Sequence, residues 1–185
     1  MIYISKGMAK PGTTEKALII NIRGAEHHLS GERAELWLAG QFNLQEYDIQ
    51  PASLDELIHL GLAEAVDNSS PTGRYDLLTR CIIVPAKLKM FRSTLGQSER
   101  QVWQWISKAG LRLTVAELIC LAQHQIDPLP QYMGETNRQN LVEAIYTTGT
   151  IADNILENLM EYSDRRDDIV SAVFGLLRKK RIILI

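Results

Sequence analysis

One local signature, repeated along the chain, limits its folding more than any other feature. A Ser or Thr followed three residues later by Glu, Gln or Asp can satisfy two orphan backbone donors at the start of a helix. The pattern stands at Ser53/Glu56, Ser98/Gln101, Thr114/Glu117, Thr136/Gln139 and Thr150/Asp153, each time ahead of apolar residues at helical spacing. Such matches in phase with the apolar period predict helix starts. The chain must therefore bury many short helices against one another.

Its 185 residues are 45% hydrophobic and 23% charged, enough to build a core and too apolar for a disordered chain. No apolar run approaches the roughly 20 residues of a membrane span. The stretch Met1–Gly7 lacks the apolar centre of a secretory signal, so a cytoplasmic protein without a membrane partner is expected. Residues 1–90 hold nine Lys/Arg against eleven Asp/Glu, and residues 91–185 hold eleven against eleven. Neither half is a basic domain, which weighs against phosphate contacts as a source of affinity.

In the first half, Ala17–Ile22 reads as a strand closed by Arg23-Gly24, and residues 31–41 read as a helix. A short helix is expected at residues 44–48. Ser53–Leu60 forms the next helix, stopped by Gly61. Leu62–Val66, the turn-rich cluster Asp67–Gly73 and Tyr75–Thr79 then read as a hairpin with a long tip. After a basic segment at residues 85–98, helices are expected at 98–108, 114–124, 136–146, 150–160 and 164–179, with a strand at 181–185.

The succession Leu54, Leu57, Leu60-Gly61-Leu62, a polar hairpin, then Tyr75, Leu77-Leu78-Thr79 resembles the C-terminal half of a winged helix-turn-helix domain of the bacterial regulator type. The resemblance covers residues 31–84, and the last three helices with their strand repeat its layout. It implies an α+β fold, mainly α, with two winged-helix-like domains at 1–86 and 98–185 joined by a linker at 87–97. The first would carry a β-hairpin wing and the second would be mostly helical. It further implies a transcriptional regulator that binds duplex DNA as a homodimer. Phosphate contacts would come from Arg74, Arg165, Arg166, Arg178, Lys179 and Lys180, with Ser171 near the groove. Asp164, Asp167 and Asp168 crowd the start of the last helix, where they favour its dipole and repel phosphate.

The alternative is a protein-interaction adaptor on the same scaffold that binds no DNA. Trp103 and Trp105 would then form an oligomer or partner face. A small-ligand sensor with a pocket between the halves is a third reading. No catalytic or metal-binding residue is expected, and no cofactor. His27-His28 beside Glu26 read as surface or turn histidines: adjacent residues on a strand would point to opposite faces, and no second ligand cluster is spaced to help. The chain has no nucleophile-elbow, zinc-helix or phosphate-cradling motif. Cys81 and Cys120, each among apolar neighbours, read as buried reduced thiols.

Overall fold

In the computed structural model, residues 1–14, 16–86, 94–109, 112–132, 137–146 and 153–185 are described. The first part runs β1 (Ile2–Ser5), β2 (Met8–Ala9), β3 (Leu18–Ile22), β4 (Ala25–Leu29), α1 (Glu32–Gly40), β5 (Gln45–Glu46), α2 (Ala52–His59), β6 (Ala63–Val66), α3 (Gly73–Thr79) and β7 (Ile83–Pro85). The second runs α4 (Gln97–Ala109), α5 (Val115–Gln123), a 3-10 turn at Pro130–Tyr132, α6 (Arg138–Ile145), α7 (Asp153–Glu161), α8 (Arg166–Arg178) and β8 (Ile182–Leu184). The fold is α+β, with small antiparallel sheets among the helices.

The expected strand at 17–22 forms β3, and Arg23-Gly24 makes the two-residue turn into β4. Both turn residues have positive φ, 52° and 87°, as the tight hairpin requires. Gly61 ends α2 with φ 69°, its N–H bonding the Ile58 carbonyl at 2.9 Å. Thr114 caps α5 through a complete capping box with Glu117. Two other expected caps fall elsewhere. Ser53 lies inside α2, whose N-cap is Pro51, and its hydroxyl donates to Glu32 at 2.6 Å. Ser98 lies inside α4, and Glu99 accepts from the Gly96 N–H at 2.8 Å. Thr136, Thr150 and linker residues 87–93 lie outside the described residues.

Two expectations are corrected. Residues 44–48 are not helical: Gln45 and Glu46 form β5 and pair with Tyr3 and Ile2. Tyr75–Thr79 is not the returning strand of a wing but part of α3. Tyr75, Leu77 and Leu78 are all buried, a spacing that one helical face satisfies and an alternating strand does not. The strand beside β6 is instead β1, whose Ile2–Ser5 pair with Val66–Ala63. A second return strand on that side has no place to bond.

The pairing around β1 recurs around β7. β1 lies between β5 and β6, antiparallel to both. Ile83 of β7 likewise pairs with Leu184 of β8 on one side and Leu113 on the other, both antiparallel. In each case the chain leaves the strand, passes through a helix (in the first copy only after the β2–β3–β4 sheet) and returns to flank that strand with a short extended piece and a later strand. The repeat is invisible in sequence because the two copies share no residue pattern.

Chain positions on either side of residues 87–97 share their cores. One cluster joins Ile2, Ile4, Tyr75 and Leu77 to Val102, Trp105, Ile119 and Leu176. The other joins Trp37, Leu54 and Leu57 to Ile183 and Ile185. Residues 182–185 are held from both sides: Gly7 N–H bonds Leu184 at 2.7 Å, and Ile82 exchanges bonds with Ile185 at 2.9 and 3.0 Å.

Candidate functional site

The 3.6-residue period collects Ile169, Val170, Val173, Phe174, Leu176 and Leu177 on one side of α8, and all six are buried. Ala172 and Gly175, placed by the helical period on the opposite side, are buried as well. The reason is that α8 packs against α3, α4 and α5 together. That leaves a narrow open strip, on which Ser171 and Arg178 stand.

This strip walls a groove of about 300 Å³. Phe42, Asn43, Leu44 and Glu46 come from the segment around β5, Arg74 from α3, and Val170, Ser171, Phe174 and Arg178 from α8. The aromatic and aliphatic residues line it with apolar surface. Arg74 and Arg178 are exposed, and neither makes a hydrogen bond or ion pair among the described residues. Lys180 sits at one end, its ammonium 5.2 Å from the centre of the Phe42 ring. Three of the residues expected at DNA, Arg74, Ser171 and Arg178, thus meet in one place, drawn from opposite sides of residues 87–97.

The other expected phosphate contacts are engaged elsewhere. Lys179 is ion-paired with Glu99 at 2.6 Å and donates to the Thr94 carbonyl at 3.0 Å. Arg166 bonds Asp167 at 2.9 Å and the Glu161 carbonyl at 2.7 Å. Arg165 lies 3.9 Å from Asp168. Two of the acids at the start of α8, Asp167 and Asp168, therefore pair with Arg166 and Arg165.

The tryptophan pair is also separated. Trp105 is 1% exposed and belongs to the shared core, so it forms no surface for a partner. It is the inward side of the helical period, since α4 packs on α8 through that face. Trp103 is half-buried beneath the Arg181 guanidinium, 5.4 Å from its ring centre.

Cys81 and Cys120 are buried free thiols, and burial pushes Cys81 up to about 12. His27 and His28 lie on β4, opposite Ile20 and Ile19. Among the described residues, no group of three or more His, Cys, Asp or Glu side chains could hold a metal ion. Among them also, no helix is long and apolar enough to cross a membrane.

Phe42, Asn43, Leu44 and Glu46 were missed by sequence reasoning. Their segment carries no motif, and only its pairing to β1 brings it to α8. No protein-family model, curated protein or solved structure matches the chain.

Proposed function

We propose that the protein is a non-enzymatic interaction adaptor whose inter-half groove takes an acidic stretch of a partner polypeptide. The observation that carries this reading is the convergence of two exposed guanidiniums, Arg74 and Arg178, beside Phe42 and Leu44, in a groove whose one lining acid among the described residues is Glu46. A guanidinium binds a carboxylate through two parallel hydrogen bonds, and an apolar floor adds affinity for a neighbouring aliphatic side chain. The groove's volume suits a few residues of peptide rather than a duplex.

A second reading keeps the winged-helix relationship, and with it a homodimeric, cytoplasmic transcriptional regulator on duplex DNA. What favours it is the meeting of Arg74, Ser171 and Arg178, with Lys180 beside them. Against it stands the internal pairing of Lys179, Arg165 and Arg166, which leaves no continuous row of unpaired cations among the described residues for a phosphate backbone.

Fluorescence anisotropy with two probes separates the readings: a labelled peptide of alternating Glu and Leu, and a labelled random-sequence duplex at low salt. The adaptor reading expects peptide binding that weakens with added salt and falls about tenfold in the Arg74→Gln/Arg178→Gln variant. It is overturned if the peptide does not bind, or binds the variant equally well. Duplex binding lost on alanine substitution at 178–180 would establish the regulator instead.

A further inference from the structure

The repeat of strand pairing carries a repeat of the groove. In the first copy the groove lies beside β5, the outermost strand of its sheet. In the second copy the corresponding outermost position is Leu113, paired to β7 through Ile83. A second groove, of about 520 Å³, opens there, lined by the residues on either side of Leu113.

Its chemistry matches the first. Arg112 and Arg138 line it from the extended piece and from α6. Both are exposed, and neither makes a hydrogen bond or ion pair among the described residues. The one carboxylate lining it among those residues, Glu117, is already engaged: one oxygen accepts from the Thr114 N–H at 2.7 Å and the other from the Tyr146 hydroxyl at 3.0 Å. Apolar surface comes from Ile82 and from Val142, which is 42% exposed on α6. Two guanidiniums beside exposed aliphatic surface, with the local acid tied up, complement an acidic segment carrying apolar residues.

We infer that the Arg112–Arg138 groove is a second binding site for an acidic polypeptide segment, so that one chain holds two such segments at once. The class of ligand rests on the adaptor reading above, while the site itself rests on its own residues. Two weak sites on one rigid chain bind a bivalent partner far more tightly than either alone, because the second contact is made within the complex.

Isothermal titration of the full chain with the Glu/Leu peptide counts the sites. The expected result is two per chain in the wild type, one in Arg112→Gln/Arg138→Gln, one in Arg74→Gln/Arg178→Gln, and none when all four are changed. All four side chains are exposed, and an unchanged near-ultraviolet tryptophan signal verifies that each variant is folded. A single wild-type site indifferent to Arg112→Gln/Arg138→Gln overturns the inference and spares the first groove. A single site lost in that variant and indifferent to Arg74→Gln/Arg178→Gln supports the Arg112–Arg138 site but overturns the first groove and the holding of two segments by one chain. No binding in any protein, or equal binding of a Lys/Leu peptide of the same length, overturns the inference as well.

Discussion

Glu99, Gly175 and Lys179 form one small polar contact between α4 and α8, beside their shared apolar core. The Glu99 carboxylate receives Lys179 on both oxygens, at 2.7 and 2.6 Å, and the Gly96 N–H as well. It lies directly over Gly175, where a side-chain carbon would run into it. Burial alone would raise the Glu99 pKa, but the hydrogen bond from Lys179, that from Gly96 and the neighbouring positive charges outweigh it and hold the carboxyl below its ordinary value. The folded value is thus below the unfolded one. The stability this contact contributes is complete above the ordinary carboxylate range and is lost as pH falls through the lowered folded value. Urea unfolding of wild type and Glu99→Gln across that range tests the point: the difference, about 1–2 kcal/mol at neutral pH, shrinks in acid. Gly175→Ala displaces the same carboxylate, so its cost and that of Lys179→Met are less than additive. Full additivity would separate Gly175 from the ion pair.

Single elements were legible in proportion to how locally they are determined. Thr114 and Glu117 cap α5 as their spacing demands, because the capping box uses only backbone donors within three residues. Thr114→Ala should cost about 1 kcal/mol, a fall in Tm of about 2–4 °C in a chain of this size. A differential scan that finds no change would remove the cap from the account of α5. Ser53 obeys the same pattern yet caps nothing, because Pro51, with its fixed φ, starts α2 two residues earlier. The segment 75–79 shows the opposite failure. Tyr, Leu and Leu are as acceptable in a strand as in a helix, and the choice fell to neighbours far away in sequence. β1 already bonds β6, and the Tyr75 hydroxyl donates to the Glu157 carbonyl of α7 at 2.6 Å.

At the scale of the whole molecule, residues 1–86 and 98–185 are interlocked rather than strung together. β8 pairs with β7, bonds Gly7 and sends Ile183 and Ile185 into the cluster around Trp37. Ile2 and Ile4 in turn belong to the cluster of α4, α5 and α8. Unfolding either part exposes the apolar surface of the other, so a single cooperative thermal transition is expected, coincident by tryptophan fluorescence and far-ultraviolet circular dichroism. A chain lacking residues 182–185 should lose native tryptophan fluorescence from Trp37, far away in sequence. Two separable transitions, or an unchanged Trp37 signal in the shortened chain, would contradict the shared core.

By itself the sequence determined the α+β class, the bounds of the strongly periodic helices, the stop at Gly61, the turn at Arg23-Gly24 and the burial of both cysteines. Each follows from forces acting within a few residues or from one helical face. Only the tertiary structure decided that β1 and β7 are central strands, that Trp105 faces inward, and that Arg74 and Arg178 share a groove while Lys179 is neutralised. Those outcomes rest on contacts between residues far apart in sequence, such as Gly7 with Leu184. No local preference records which distant charge or strand edge a residue will meet.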